Sequence, residues 1–211
     1  FQDPPVAALE RPALWQSVSE SQIYFAAPTT AKTSEGPTLT VSVDVPDMHY
    51  FNGRGGKDIL PLYRDEAGQQ PNLARGLQKA LATQLGIATP TPEDIGAYVY
   101  ALLSSPNYQQ RFARALDTPG PRVPITASAA LWHEAVELGR GLLWLHTWGE
   151  RFVDPPSGRG GRLPHVVGLG WEVPVTTMPQ TSADISYDSR TMRLHVGDGV
   201  ISKVPPEVWA F

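Results

Sequence analysis

The chain has 211 residues, a net charge of −4 at pH 7 and a pI near 5.7, and 41% of its residues are hydrophobic. This composition predicts a globular chain with its own core and excludes a disordered one. The absence of cysteine excludes disulfides, thiolate zinc sites and a cysteine nucleophile, and no apolar run approaches the roughly 20 residues that span a bilayer.

Residues 1–70 are rich in loop signals and short strand patterns. The stretch SQIYFAA at 21–27 and the alternating TLTVSVDV at 38–45 are typical of strands. In the second stretch, alternate residues are apolar, so one face of the strand is apolar and the opposite face is polar. This pattern predicts a half-buried strand. The residues of that apolar face are Leu39, Val41, Val43 and Val45.

Residues 71–150 show helical periodicity. Asn72 is a suitable N-cap for a helix that carries leucine at every fourth position and ends at Gly86. The next helix is predicted to start at Thr91, with Asp94 in the place of the usual Glu or Gln of a capping box. Its predicted buried stripe consists of Ile95, Val99, Leu102 and Leu103.

Two further helices complete this region. Pro106 opens a short one, and three prolines within residues 117–124 then exclude helix because each removes a backbone donor. A long helix is predicted from about 128 to 146. Its predicted core-facing positions are Leu131, Ala135, Leu138, Leu142 and Leu145.

Residues 151–211 return to strand and loop. Together these patterns predict one α+β domain over 1–211, in which a central helical bundle at about 71–150 packs on short, mostly antiparallel strands from both flanks. The candidate strands in this last region are 165–169, 171–176, 183–187, 191–196 and 199–203.

The two ends of the sequence and its net charge indicate where the protein is located and what it binds. The first residues carry acids and prolines before any apolar stretch, unlike a secretory signal, so we expect a cytoplasmic protein without a membrane partner. The missing initiator methionine and the apolar run that ends at Phe211 favour a fragment of a longer polypeptide. Net acidity argues against nucleic acid, although basic residues on one face could outweigh it.

The segment HEAVE at 133–137 is a possible metal site. His133 and Glu137 lie four residues apart, but a zinc peptidase helix needs two histidines at that spacing. We therefore favour a solvated helix face that includes Glu134. A metal-dependent hydrolase acting through this segment stays the least favoured alternative.

Other candidate motifs are incomplete. GGKD at 55–58 lacks the glycine of a phosphate-binding loop at Phe51, and Asp58 replaces its Ser or Thr. GLG at 168–170 does not open a helix. LHTWGERF at 145–152 is interpreted as a helix C-terminus, with a partner-orienting surface as the alternative. No catalytic residue and no metal ligand is predicted.

Basic residues in glycine-rich loops favour contact with nucleic acid. Glycine allows a backbone to approach phosphate closely, and arginine can contact phosphate or guanine with two donors. Ordinary flexible loops explain the same pattern equally well. The residues are Arg54 and Lys57 in NGRGGK, Arg159 and Arg162 in SGRGGR, and Arg190, Arg193 and Lys203 in the last predicted hairpins.

Four segments resemble the type ISP-like DNA methyltransferase and restriction–modification proteins. They are VPDMHYFNGRGGKDILPLYRD at 45–65, EDIGAYVYALLSSPNYQQRFARAL at 93–116, GPRVPIT at 120–126 and ELGRGLLWLHTWGERF at 137–152. The resemblance implies a target-recognition region that lies C-terminal to an adenine-directed methyltransferase domain. The Asn/Asp-Pro-Pro-Tyr loop of that domain is not found here, because the DPP sequences at 3–5 and 154–156 lack the aromatic residue.

The resemblance implies that this chain contacts double-stranded DNA and the methyltransferase domain of the same polypeptide, which would hold S-adenosylmethionine. We expect Arg54, Lys57, Arg159, Arg162 and Arg190 to contact DNA, and Arg111 and Arg122 to be structural. The alternative is an inter-domain scaffold of the same enzyme that does not contact bases. An apolar patch would favour the scaffold, and basic loops on one face would favour recognition.

Overall fold

A computed structural model describes residues 12–28, 38–47, 57–116, 122–161, 163 and 170–210. The chain divides into two compact units, Phe1–Leu163 and Pro164–Phe211. The predicted strand at 165–169 lies outside the described residues. None of the described helices is long and apolar enough to cross a membrane.

The first unit contains helices and a three-stranded sheet. Its described helices are α1 Pro12–Trp15, α2 Leu77–Leu85, α3 Pro92–Leu103, α4 Pro106–Phe112 and α5 Ala129–His146. Its described strands are β1 Tyr24–Pro28, β2 Thr40–Ser42 and β3 Lys57–Pro61. The strand order is β2-β1-β3, and both pairings are antiparallel.

Strand β2 is shorter than the alternating pattern predicts. Leu39 and Val41 are buried as expected. Beyond them the Ser42 hydroxyl donates to the Asp44 carbonyl (2.8 Å) and accepts from the Asp44 backbone N–H (3.2 Å). This local turn competes with the strand ladder and ends the strand at Ser42.

The helix boundaries confirm one predicted cap and correct another. Thr91 and Asp94 form the predicted capping box, with bonds of 3.1 and 2.9 Å. Helix α2 begins after Gly76 rather than at Asn72. Asn72 instead donates its N–H to the Leu62 carbonyl (2.9 Å), so it belongs to the connection that follows β3.

The long helix α5 has the predicted length, but the predicted buried stripe is wrong at three of its five positions, while Ala135 and Leu142 pack against the core. Leu131, Leu138 and Leu145 are 56%, 59% and 45% exposed. The fully buried face is made by residues next to the predicted ones, four of them one position later and Trp144 one position earlier. It consists of Trp132, Val136, Gly139, Leu143 and Trp144.

The core of this unit forms where α3 crosses α5. The ring of Trp132 stacks on Tyr98 at 4.3 Å, and Trp132 is 2% exposed. At the crossing, a Cβ added to Gly139 would lie 1.9 Å from the carbonyl oxygen of Ala97. The rotation of α5 therefore has a steric cause, because only glycine allows the two backbones to approach this closely.

The second unit is a four-stranded antiparallel sheet in the order β4-β7-β6-β5. Its described elements are β4 Gly170–Val173, β5 Ile185–Asp188, β6 Arg193–Val196, β7 Gly199–Ser202, the helix α6 Pro206–Ala210 and a 3-10 turn at Ser182–Asp184. These strands correspond to four of the five predicted for this region. The mixed α+β class is confirmed, and every described strand pair is antiparallel.

Candidate nucleic-acid interface

The structure places the predicted DNA-contacting residues in different settings. Arg54 and Arg162 lie outside the described residues. Lys57 is the first residue of β3, and only its backbone is described. Arg159 and Arg190 have described side chains.

The side chain of Arg159 is bound by other residues of the first unit. It is only 10% exposed, and one guanidinium nitrogen lies 3.0 Å from an Asp154 carboxylate oxygen. A second lies 3.4 Å from Glu137 on α5, and Nε donates to the Phe152 carbonyl at 3.2 Å. The geometry therefore gives Arg159 a structural role, and the DNA contact predicted for it would require breaking these interactions.

The segment SGRGGR begins in a tight turn rather than an open loop. The backbones of Asp154 and Arg159 bond to each other in both directions, at 2.7 and 3.1 Å. Gly158 adopts φ 80°, which closes the turn after the 3-10 helix Pro155–Ser157. The indole of Trp144 donates to the Gly160 carbonyl at 2.7 Å, so the turn is attached to α5 at a second point.

The turn also connects to the N-terminus of α3. Arg140 on α5 lies 2.6 Å from Asp94 and 4.0 Å from Glu137, the carboxylate that Arg159 contacts. Burial by itself would raise the pKa of Asp94, but hydrogen bonds from Arg140 and Thr91 outweigh it and hold this pKa below its usual value. The ion pairs therefore link α3, α5 and the turn at 154–160.

Replacing Arg159 by alanine should lower the free energy of unfolding by about 2 kcal/mol, because charge-assisted hydrogen bonds of a nearly buried group are lost. Urea unfolding would measure the loss, and hydrogen exchange should quicken at residues 154–160. The matched control is Arg193→Ala, which removes an exposed pair and should cost less than about 1 kcal/mol. Equal, small losses in both variants would contradict a structural role for Arg159.

Arg190 is exposed in the turn between β5 and β6. Its backbone N–H donates to the Asp188 carboxylate at 2.9 Å, and the Thr191 hydroxyl donates to the same group at 2.6 Å. These bonds order the turn, and the Thr191 bond is the main reason that the pKa of Asp188 is lowered. The arginine side chain extends from this ordered turn and has no ion-pair partner among the described residues.

Lys203 lies at the same end of this sheet. Residue 204 donates its N–H to the Met192 carbonyl at 2.9 Å, which holds the chain after β7 against the Arg190 turn. Lys203 is exposed and adopts φ 60°, a left-handed conformation that is uncommon for lysine. In contrast, Arg193 on β6 is bound at two points by Glu172, at 2.9 and 2.7 Å.

Two further cations, Arg111 and Arg114, are exposed on the first unit. The sequence predicted a structural role for Arg111 and did not single out Arg114. Both lie at the end of α4 and have no ion-pair partner in the part of the chain that the structure describes. One signal was present, because Asp117 is the only acidic residue between Ile95 and His133. The structural interpretation of Arg122 agrees with its geometry, because its guanidinium donates to the Ala115 carbonyl at 3.2 Å.

The segment HEAVE has the solvated position that was predicted. His133, Glu134 and Glu137 are all exposed on α5, and Glu137 contacts Arg159. Within the described ranges, no group of three His, Asp or Glu side chains is placed to hold a metal ion. This geometry gives no support to the hydrolase alternative.

The segment LHTWGERF ends α5 and connects it to the sheet. Gly149 donates its N–H to the Trp144 carbonyl at 2.8 Å, which closes the helix end. Arg151 then donates to the carbonyl of Gln22, two residues before β1 begins, at 3.0 Å. The imidazole of His146 forms a 2.6 Å hydrogen bond with the Tyr100 hydroxyl, and burial lowers the pKa of His146.

The fold defines a mixed α+β module that is similar to a small part of two much larger solved proteins. One is the DrdV–DNA complex determined by cryo-electron microscopy, with a TM-score of 0.58, 22% identity, and coverage of 90% of this chain and 18% of that chain. The other is the ATP-dependent Type ISP restriction–modification enzyme LlaBIII bound to DNA, with a TM-score of 0.55, 15% identity, and coverage of 90% and 12%. At these levels of sequence identity, the similarity is evidence for a shared fold.

The amino-acid sequence itself shows which protein family the chain belongs to. Residues 1–211 match the family described as the Type ISP C-terminal specificity domain, and the chain belongs to that family. The resemblance found in four sequence segments is thereby confirmed. Among curated proteins, none matches this sequence.

Proposed function

We propose that this chain is the DNA target-recognition portion of a restriction–modification adenine methyltransferase. It binds duplex DNA and positions it for a methyltransferase domain elsewhere on the same polypeptide, which holds S-adenosylmethionine. The observation that carries the proposal is the match of the whole chain to a specificity-domain family. The fold it shares with segments of two DNA-bound proteins supports it.

The described cations suit phosphate contact to different degrees. A guanidinium or ammonium group that has no carboxylate partner can exchange its counterions for DNA phosphates, whereas a paired one must first lose its partner. Among the described residues, Arg190 and Lys203 have no carboxylate partner, and both lie at one end of the second sheet. Arg54, Lys57 and Arg162 remain candidates, and we assign Arg159 to the turn at 154–160.

We expect most of these contacts to position the DNA backbone and few to reach base edges. In protein–DNA complexes, half or more of the hydrogen bonds go to phosphate and sugar, while base edges in the grooves supply the sequence information. The Arg190 turn is ordered by hydrogen bonds to Asp188 and carries one arginine, the side chain that most often contacts guanine. Arg190 is therefore our first candidate for a base contact.

Replacing Arg190 and Lys203 together by alanine should weaken duplex binding. Two lost phosphate contacts would reduce the slope of log K against log salt concentration by about 1.8, since each contact contributes about 0.9. Fluorescence anisotropy of a labelled duplex across a salt series measures this slope. The matched control is the double variant Glu172→Ala with Arg193→Ala, which removes a charge pair from the same sheet without changing the net charge.

An unchanged slope for the first double variant would remove Arg190 and Lys203 from the proposed interface. A parallel variant, Arg111→Ala with Arg114→Ala, would then show whether α4 carries the contacts. If no variant alters the slope and the wild-type chain binds duplex DNA no better than at background, DNA recognition by this chain is wrong.

The inter-domain scaffold is a second candidate that one observation favours. Helix α5 exposes three leucines, and Trp148 directly after it is also exposed, which is an unusual apolar surface beside a helix that forms the core. The exposed cations and the exposed leucines belong to different elements, so an apolar contact surface on α5 is compatible with DNA binding. Only a scaffold that makes no base contacts excludes target recognition.

A further inference from the structure

Helix α5 carries an exposed apolar stripe, which we call the α5 seam. It consists of Leu131, Leu138 and Leu145, spaced seven residues apart, and of Trp148 directly after the helix. The three leucines are 45–59% exposed and Trp148 is 76% exposed. Fourteen residues of α-helix span about 21 Å, so the stripe is long enough to face four turns of a partner helix.

The seam has the spacing of a helix-pairing surface. A seven-residue repeat drifts only about 20° per repeat on a straight helix, so the leucines stay on one face. A groove of about 320 Å³ runs beside it between α3 and α5. The groove is lined by Tyr98, Leu102, Thr126, Leu131, Glu134, Ala135 and Leu138. Apolar side chains of a partner helix fit such a groove as knobs fit holes.

Trp148 is a further feature of an interaction surface. It lies at the position after the helix cap where glycine is usual, and it adopts φ 57°. A left-handed conformation is unfavourable for a residue with a Cβ, and the Trp148 side chain gains little burial in return. Exposed tryptophans are the residues that most often dominate binding energy at protein interfaces.

The charges beside the seam select the occupant. Glu134 lines the groove. Glu137 and Glu150 are also exposed, but Glu137 pairs with Arg159 and Arg140, and Glu150 lies 3.7 Å from Arg151. Glu134 has no ion-pair partner among the described residues. The Glu134 carboxylate would repel DNA phosphates and an anionic lipid surface, and a second copy of the seam would bring two such carboxylates together.

We infer that the α5 seam binds an amphipathic helix with apolar residues at heptad spacing and with lysine or arginine beside them. Leu138 lies at the centre of the contact, and Glu134 pairs with a basic residue of the partner. This surface is separate in chemistry from the one proposed for DNA.

Two designed 21-residue helical peptides test the inference. Both carry leucine at the a and d positions, one has arginine at e and g, and the other has glutamate there. Anisotropy of the labelled basic peptide should show saturable binding to the wild-type chain, at least tenfold tighter than the acidic peptide. Leu138→Glu should weaken basic-peptide binding at least tenfold, and Glu134→Lys should reverse the preference between the peptides.

The charge-matched control is His133→Glu, which adds the same charge to the same helix away from the seam and should leave basic-peptide binding intact. Circular dichroism should show the three variants folded, because each replaced side chain is exposed. Equal binding of both peptides, binding of neither, or no effect of Leu138→Glu would overturn the inference. So would a wild-type dimer in sedimentation that Leu138→Glu dissociates, or a loss of duplex DNA binding in that variant.

Discussion

Replacing Gly139 by alanine is expected to lower the free energy of unfolding of the first unit by about 3 kcal/mol. The added Cβ would lie 1.9 Å from the Ala97 carbonyl oxygen, a backbone atom that cannot move without separating α3 from α5. Overpacking of a core costs about 1–3 kcal/mol and occasionally more, and a backbone clash belongs at the upper end. The gain in helix propensity, about 1 kcal/mol, does not offset this.

Gly141→Ala is the matched control. Gly141 lies on the same helix, and a Cβ there would meet nothing within 4 Å. This variant should raise the free energy of unfolding by about 0.5–1 kcal/mol, since alanine restricts the unfolded chain and favours helix. Urea titration followed by circular dichroism compares the two variants. Similar midpoints for both would mean that α3 and α5 do not cross at Gly139.

Replacing Trp132 by alanine is the second substitution with a large expected effect. Trp132 is almost completely buried and stacks on Tyr98. Its removal should lower the free energy of unfolding by about 3–5 kcal/mol, because the transfer energy of the indole is lost and a cavity remains. Tyr98 should also become less ordered, although its hydroxyl still has the Pro124 carbonyl as a partner at 2.8 Å.

The neighbouring substitution Leu131→Ala distinguishes the structure from the sequence-based prediction. The sequence predicts Leu131 as a core residue, which would make its replacement cost about 2–5 kcal/mol. The structure places it in the exposed seam, where the cost should be about 0.5 kcal/mol or less. Thermal unfolding of both single variants tests the orientation of α5. A larger loss for Leu131→Ala than for Trp132→Ala would contradict the observed rotation.

Local chemistry explains which predictions of helix boundaries succeeded. The capping box at Thr91 and Asp94 needs only residues three apart, and the left-handed Gly86 needs only a missing Cβ, so both were predictable. The start of α2 was not, because Asn72 donates its N–H to the distant carbonyl of Leu62. This tertiary hydrogen bond places Asn72 in the connection after β3 and not at the N-cap of α2.

The orientation of α5 shows a different kind of ambiguity. Two apolar stripes, one through Leu131 and Leu138 and one through Trp132 and Leu143, lie side by side with the same helical periodicity. Periodicity could not choose between them, and the leucines were the more numerous. The choice came from Gly139, since the closest approach of α3 requires a residue without a side chain at the crossing.

The sequence by itself determined the class of fold, the caps that depend on neighbouring residues, and the family, through long segments at 45–65 and 93–116. It also showed which side chains are cationic. Only the tertiary structure decided which cations are engaged, because the partner of Arg159 on α5 is 22 residues away, while Arg190 has none among the described residues. Charge is a property of the residue, but the availability of that charge to a phosphate depends on the carboxylates that folding brings beside it.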